Sequence, residues 1–310
     1  MSKHRTFPAL LLVPVLGAAA LAGLLRAVPS LAEGSVPRTN DPGMRQSYSF
    51  SPLRKVDLLS LDAGVRGVMK MGFLVDLEPG WHLYWANPGD AGLAPAVRWT
   101  LPPGFSAGPL LHPVPEKTVA EGLVTYGHSG TVLLLCEITL PPSYDAAATW
   151  EADAVLEWMA CEESCIVGET ALRIDRPPEA ESVRRDRSVA ESFAASFPRP
   201  LSGSGITAST GRAEWTGSAW RIEIALSGPR AGEVDDFFPY PIEGYVIENG
   251  GVSCGDEKIL LPVVPTGGKG SPPPEKVQGL LIIGGTGYEI TALVTPKASE
   301  LFPPWRSNHE

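Results

Sequence analysis

The chain has 310 residues, 44% of them hydrophobic, which is enough for two ordinary domains with cores of their own. Its formal net charge of −10 excludes the basic stripe that nucleic-acid binding requires, so we expect no nucleic-acid partner. The 33 glycines and 31 prolines favour many turns and short strands over long helices.

The N-terminus has the features of an export signal. The lysine, histidine and arginine at positions 3–5 give a positive start, residues 7–25 are apolar, and a small-x-small site ends at Ala32. We therefore predict a signal peptide over residues 1–32, cleaved after Ala32, and a periplasmic location. An uncleaved membrane anchor is the alternative, because the apolar run has nearly the ~20 residues that a spanning helix needs.

A flexible lead-in and a strand-rich region follow. Residues 33–46 are polar and rich in Pro and Gly, whereas residues 47–177 alternate short apolar segments with turn residues, as in a β-sandwich. The segment TVLLLCEITL at 131–140 predicts a strand buried on both faces. Its Cys136 is expected to be a buried core thiol. Cys254 lies in a predicted turn and is expected to be an exposed free thiol. A disulfide between Cys136 and Cys254 is the alternative.

Cys161 and Cys165 lie four positions apart in the stretch EWMACEESCIVGET. Strand-like segments flank residues 162–164, so a β-hairpin with a short loop would bring the two thiols opposite each other. A helix over residues 152–161 is the competing prediction. Exported cysteines this close form a disulfide unless something reduces them. Three roles therefore stay open: an exchange-active pair, a structural bridge, or two ligands of a metal site.

The surroundings of the pair favour redox chemistry modestly. A bridge here closes a very short loop, so it contributes little entropic stabilisation to the fold. Glu157, Glu162, Glu163 and Glu169 place negative charge near the thiols, which makes them harder to deprotonate. We expect a disulfide that a partner's thiolate attacks, rather than a strongly nucleophilic thiol.

The rest of the chain predicts a linker and a second strand-rich region. Apolar residues recur at helical spacing between 189 and 197, which predicts a helical linker over residues 178–200. Residues 201–297 contain regular short strand-like segments separated by Gly- and Pro-rich turns, as in a second β-sandwich. Residues 298–310 are expected to be a tail.

Several stretches together resemble the periplasmic N-terminal domain of the DsbD/ScsB thiol:disulfide interchange proteins. They are GWHLYWANPGDAGLAPAVRWTLPPGFSAGPLLHPVPEK at 80–117, GLVTYGHSGTVLLLCEITLP at 122–141 and WMACEESCIVGETALRI at 158–174. More weakly, DFFPYPIEGYV at 236–246 and GLLIIGG at 279–285 resemble the second sandwich of the ScsB-like branch.

This resemblance covers roughly residues 47–295 and implies an all-β fold of two immunoglobulin-like β-sandwich domains joined by the helical linker. Cys161 and Cys165 match the family's redox-active pair, and Cys165 is the cysteine expected to form mixed disulfides. The implied role is a component of a protein-disulfide reductase, without cofactor or metal. Electrons would come from a membrane reductase of the DsbD/CcdA type, expected to be a separate protein, and pass to periplasmic thioredoxin-like or disulfide-isomerase proteins.

The family also shields its cysteine pair with a short cap loop that carries aromatic residues. That loop maps here onto Glu121–Ser129, with Tyr126 as the shielding aromatic. His82 and Tyr84 fall where the family places aromatic residues beside the cysteines. One departure lies next to the pair itself, because Val167 occupies a position where the pattern usually has a proline.

Two other functions are compatible with the same residues. Two thiolates together with Met159, His82 or His128 would make a soft site suited to Cu(I), as in a copper-binding or copper-tolerance protein. Alternatively, the disulfide is structural and the chain is a non-catalytic binding module. Hydrolytic catalysis finds little support. The sequence contains no H-E-x-x-H motif, and its two G-x-S-x-G matches, GFSAG at 104–108 and GVSCG at 251–255, lie among predicted short strands and turns rather than between a strand and a helix.

Overall fold

The computed structural model describes residues 51–62, 67–145, 150–176 and 180–297. The predicted signal peptide, lead-in and tail lie outside these residues. The strands of the first half are β1 (Leu53–Ser60), β2 (Val68–Leu77), β3 (His82–Gly89), β4 (Ala96–Thr100), β5 (Ser106–Leu111), β6 (Glu116–Ala120), β7 (Leu123–Ser129), β8 (Thr131–Thr139), β9 (Trp150–Cys161) and β10 (Cys165–Arg176).

The second half begins with the helix α1 (Ala180–Ser192). Its strands are β11 (Arg199–Pro200), β12 (Thr207–Ala208), β13 (Gly211–Trp215), β14 (Trp220–Ser227), β15 (Asp236–Pro239), β16 (Tyr245–Ile247), β17 (Ser253–Gly255), β18 (Lys258–Pro265), β19 (Lys276–Ile283) and β20 (Thr286–Pro296). Short 3-10 helices lie at Ala194–Ser196, Leu201–Gly203, Ala231–Glu233 and Asn249–Gly251. The predicted all-β fold is confirmed.

The first ten strands form two sheets that share one core. One sheet has the order β1-β2-β8-β5, and the other has the order β10-β9-β3-β7-β6, with β4 also pairing with β9. Phe73 and Leu134 of the first sheet belong to the same buried cluster as Leu83 and Leu156 of the second. We call this region the first sandwich.

Strand β9 shows how the sequence positions the cysteines. Ala154, Leu156, Trp158 and Ala160 are buried in the core, and the residues between them are half-buried or exposed. Because successive side chains of a strand point to opposite faces, Cys161 points away from that core, onto the outer face of the sheet. The cysteine pair therefore lies outside the main core, at the end of a long strand.

The central part of strand β8 is buried on both faces, as predicted, whereas Glu137 and Thr139 further along the strand are exposed. Leu134 faces the core of the first sandwich, and Leu133 faces a second buried cluster. Val189 of α1 and Phe193, just after it, pack on that second cluster and cover the face that a lone sandwich would expose to solvent. Neither α1 nor any other helix in the described ranges has the length and apolar character of a membrane span.

The strands after α1 surround a second large core. They are linked in the order β15-β19-β20-β13-β14-β18-β16, with β11, β12 and β17 attached at the sides. The predicted alternation in β14 is confirmed, since Trp220, Ile222, Ile224 and Leu226 are all buried and the residues between them are exposed. We call this region the second sandwich.

The two sandwiches contact each other through side chains of β3 and β7. Trp85 and Tyr126 of the first sandwich form a buried cluster with Phe238 of the second. Lys117 also forms an ion pair with Asp236 across this contact, with an Nζ–Oδ2 distance of 2.8 Å. The described residues of both sandwiches belong to one compact unit.

Candidate redox site

The cysteine pair lies at the tip of a hairpin made by β9 and β10. The two strands pair without a break over their full length, and Cys161 is directly opposite Cys165. A disulfide joins them, with a Cα–Cα distance of 4.2 Å. The predicted hairpin is therefore confirmed, and the competing helix over residues 152–161 is wrong because its residues alternate in burial with the period of a strand.

The two cysteines differ in their access to solvent. Cys161 is only 4% exposed, whereas Cys165 is an exposed residue. The sheet order explains the difference: β9 is flanked by β3, where His82 pairs with Cys161, and β10 is an edge strand. An attacking thiolate from outside therefore reaches Cys165 more readily than Cys161.

Tyr84 contacts the buried sulfur directly. Its hydroxyl donates a hydrogen bond to Cys161 Sγ at 3.1 Å and lies 3.8 Å from Cys165 Sγ. The side chain is 3% exposed, and burial raises the pKa of its hydroxyl, which keeps the group protonated as a donor. The ring of His82 packs edge-on against Tyr84 with the centroids 5.1 Å apart, and burial lowers the pKa of this histidine. Both residues thus lie near the cysteines.

A turn between β3 and β4 covers the ring of Tyr84. We call residues 90–95 the covering segment; it connects two strands that both pair with β9. Gly92 in this segment has φ 100°, and a Cβ at this position would overlap the phenol ring at its hydroxyl end. Only glycine combines this backbone conformation with so close an approach. The NPGDAGLAP motif showed that these residues belong to the family pattern, but it did not reveal that they cover Tyr84.

Tyr126 does not lie over the disulfide, and the predicted cap loop needs correction. Residues 123–129 form the strand β7, so most of the predicted loop is regular sheet. Tyr84 pairs with Gly127, which places the neighbouring Tyr126 on the opposite face of the sheet. There its ring contacts Trp85 and Phe238, with centroid distances of 5.9 Å and 5.1 Å. Tyr84 and the covering segment, rather than Tyr126, lie on the side of the sheet that carries the disulfide.

The negative charge near the cysteines is partly neutralised. Arg98 forms ion pairs with Glu157 and with Glu169, the latter at 3.2 Å. These two carboxylates lie four residues, or about 13 Å, along the hairpin from the disulfide. The acidic groups at the tip are Glu162, whose side chain packs on the turn at Gly80, and the exposed Glu163. Among these four glutamates, the ones nearest to the disulfide in the chain are therefore Glu162 and Glu163 of the turn.

The residues proposed as additional copper ligands are split between the two faces of the sheet. His82 and Met159 share the outer face with Cys161, whereas His128 pairs with Leu83 and points inward with it. His128 is buried, and its ring stacks on His112 at 6.1 Å. Among the described residues, no group of three or more His, Cys, Asp or Glu side chains is arranged to hold a metal ion.

The other two cysteines are free thiols. Cys136 is buried, as predicted, and burial raises its pKa to about 11. Cys254 lies in the short strand β17 and is half-buried rather than exposed in a turn, and burial raises its pKa to about 11 as well. The alternative Cys136–Cys254 bridge is not formed.

Comparison with known proteins agrees with this site. A family model, "Thiol:disulfide interchange protein DsbD, N-terminal", matches residues 55–176. The crystal structure of the N-terminal periplasmic domain of ScsB from Proteus mirabilis has the same fold, with a TM-score of 0.57 and 20% sequence identity. That match covers 77% of this chain and 92% of the ScsB domain.

A curated human protein matches a shorter part of the chain. The immunity-related GTPase family Q protein of Homo sapiens is 34% identical over 101 residues, which are 32% of this chain and 14% of that protein. The chain thus spans about a seventh of the length of this relative. The match to the DsbD model, in contrast, includes the cysteine hairpin and Tyr84. Residues 55–176 of this chain therefore belong to the DsbD N-terminal domain family.

Proposed function

We propose that the protein carries out thiol:disulfide interchange in the periplasm through a reversible Cys161–Cys165 disulfide. One observation carries this proposal: the disulfide joins an exposed cysteine on an edge strand to a buried cysteine that accepts a hydrogen bond from Tyr84. A structural bridge needs neither the exposed half nor the hydroxyl donor.

The geometry supports a defined order of bond changes during reduction of the pair. A donor thiolate attacks Cys165 Sγ, a bond forms between the two sulfurs, and the Cys161–Cys165 bond breaks. Cys161 Sγ leaves as a thiolate, and the hydrogen bond from the Tyr84 hydroxyl stabilises its new charge. The donor's second thiolate then attacks the mixed disulfide and releases Cys165. The donor ends as a disulfide, and the pair ends as a dithiol that has gained two electrons.

The reverse sequence transfers these electrons to an acceptor. The Cys165 thiolate attacks the acceptor's disulfide, and Cys161, held beside it by the hairpin, resolves the mixed disulfide. We propose a separate membrane reductase of the DsbD/CcdA type as the donor and thioredoxin-like or disulfide-isomerase proteins as the acceptors. The apparent export signal at residues 1–32 supports this location.

Exposed apolar side chains near the pair provide a surface for such partners. Val167, two residues after Cys165 on the same face of β10, is 64% exposed, and Leu93 of the covering segment is 56% exposed. Contiguous exposed apolar surface is typical of docking sites, and we propose that these two side chains contribute to one. The position that usually holds proline in the family thus keeps an apolar side chain here.

The reduction potential of the pair tests the proposal. The protein is equilibrated in graded thiol buffers and alkylated, and the oxidised fraction is measured by mass spectrometry of the peptide that contains Cys161 and Cys165. An exchange-active pair is expected between about −270 and −120 mV, whereas structural bridges lie below about −300 mV. A value below −300 mV would contradict the proposed function and favour a binding module with a structural disulfide.

A further inference from the structure

The second sandwich reaches the redox site through a buried polar network at the NPGD motif. Asn87 donates a hydrogen bond from Nδ2 to the carbonyl oxygen of Pro239 in the second sandwich at 2.9 Å. The same nitrogen lies 3.5 Å from Oδ1 of Asn249, and Oδ1 of Asn87 accepts a hydrogen bond from the Gly89 amide. Asn87 and Asn249 are both buried, so these contacts are shielded from water.

Asn249 also holds the first residue of the covering segment. It is 3% exposed, and its Nδ2 donates a hydrogen bond to Oδ1 of Asp90 at 3.0 Å. The other carboxylate oxygen of Asp90 accepts a hydrogen bond from the Val124 amide at 2.8 Å. Asp90 is an exposed residue, but its carboxylate is fixed from two sides, by the second sandwich and by β7, and hydrogen bonds to a carboxylate are among the stronger ones in proteins.

From Asp90 the covering segment leads directly to Tyr84. Two residues later, Gly92 lies against the hydroxyl end of the Tyr84 ring, and that hydroxyl donates to Cys161 Sγ. The contacts form one continuous series from Asn249 through the covering segment to the sulfur. Tyr84 is buried, and besides the covering segment its ring contacts His82.

We propose that Asn249 of the second sandwich is a positioning residue for thiol:disulfide exchange in the first. It holds the covering segment so that Tyr84 presents its hydroxyl to the leaving sulfur of Cys161. This inference rests on the proposed function and gives the second sandwich a role in it. Without the Asn249 amide, Asp90 loses its hydrogen bond to the second sandwich and keeps only its two hydrogen bonds to the Val124 backbone. The Tyr84 hydroxyl is then aligned with the sulfur for a smaller fraction of the time.

The test measures the rate at which dithiothreitol reduces the disulfide in the whole protein, for the wild type and for Asn249→Ala. We expect the rate constant to fall about fivefold, as loss of one hydrogen bond implies. In a Tyr84→Phe background the same substitution should have no further effect, because Asn249 acts through the Tyr84 hydroxyl. Ile224→Val is the matched control: it removes one methylene from the core of the second sandwich, away from the network, and should leave the rate unchanged.

An unchanged or increased rate of disulfide reduction in Asn249→Ala would overturn the inference. It would also be overturned if Asn249→Ala lowered the rate by the same factor in the Tyr84→Phe background as in the wild type. Should Asn249→Ala fail to fold, Asp90→Asn removes an acceptor from the same network within the first sandwich and is expected to give the same slower rate. These failures are distinct from a failure of the proposed function. A reduction potential below about −300 mV would contradict the proposed exchange itself. A reducible pair whose reduction rate is the same in the wild type and in Asn249→Ala would contradict only the positioning role.

Discussion

The two faces of strand β3 differ in what their side chains contact, although these side chains alternate along the same strand. On the outer face of β3, His82 and Tyr84 lie beside the disulfide. On the inner face, Leu83 fills the core of the first sandwich, and Trp85 stacks on Tyr240 of the second at 5.0 Å. Side-chain alternation thus places the residues of the proposed redox site and the packing residues at alternate positions of one strand. A substitution should affect either exchange or stability, according to the face on which it lies.

The largest expected effect is on the outer face, at the cysteines. Cys161→Ser and Cys165→Ser should each abolish turnover while the protein stays folded, because the bridge closes only a short loop. The two variants should differ with a chromogenic aromatic disulfide: Cys161→Ser keeps the exposed thiol and traps a mixed disulfide, and Cys165→Ser reacts far more slowly. Cys254→Ser is the control for labelling elsewhere. Turnover in either single variant would contradict the mechanism.

The next largest effect is expected on the pH dependence of stability, from the buried pair in which His112 stacks on His128. Burial lowers the pKa of His112 to about 4 and that of His128 to about 3, the latter with a contribution from His112. Since each titrates near 6.5 when unfolded, the stability that they provide is complete above that pH and is lost as the pH falls towards 4. We expect a loss of about 2–3 kcal/mol per histidine between pH 7 and 4.5, measured by urea unfolding.

His128→Leu provides the control for that pH dependence. Protonation of carboxylates also destabilises the protein in acid, so the informative quantity is the difference between the two pH profiles. The variant should lose about half of the histidine contribution, because one buried imidazole no longer has to remain neutral. Parallel profiles for the wild type and the variant would show that His128 does not titrate in this range.

A smaller effect is expected at Tyr84, where Tyr84→Phe removes only the hydroxyl. Cys161 Sγ develops negative charge as it leaves, and a hydrogen bond to a charged group is worth about 1.5–3 kcal/mol. The rate constant for reduction by dithiothreitol should therefore fall at least about tenfold. The apolar packing of the ring remains, so the unfolding midpoint should change little. If Tyr84→Phe is reduced at the wild-type rate, the Tyr84 hydroxyl does not stabilise the leaving Cys161 thiolate.

The smallest effect is expected at Tyr126, which makes a matched pair with Tyr84. Its hydroxyl is buried and has no hydrogen-bond partner among the described residues, and burial raises its pKa. Tyr126→Phe removes this unpaired polar group, so the free energy of unfolding should be unchanged within about 0.5 kcal/mol or should increase. The disulfide reduction rate should equal that of the wild type. A changed rate would restore the shielding role that the family resemblance implied.

The sequence by itself determined the elements whose signals are local. The alternation of β14, the apolar run of β8 and the paired segments around residues 162–164 predicted strands and a hairpin, because strand period and turn composition are properties of neighbouring residues. The disulfide followed, since a three-residue turn leaves Cys161 and Cys165 directly opposed. The resemblance also placed His82 and Tyr84 beside the pair.

Only the tertiary structure decided which groups surround the disulfide. Tyr84 and Gly127 pair although they are 43 positions apart in the chain. A shift of one residue in this pairing would move Tyr126 to the face of the sheet that carries Tyr84. The approach of Gly92 to Tyr84 and the contact of Asn249 with Asp90 depend on how separate elements pack. The periodicity of apolar residues along the chain does not predict such contacts, because they join residues that are distant in the sequence and that only the fold brings together.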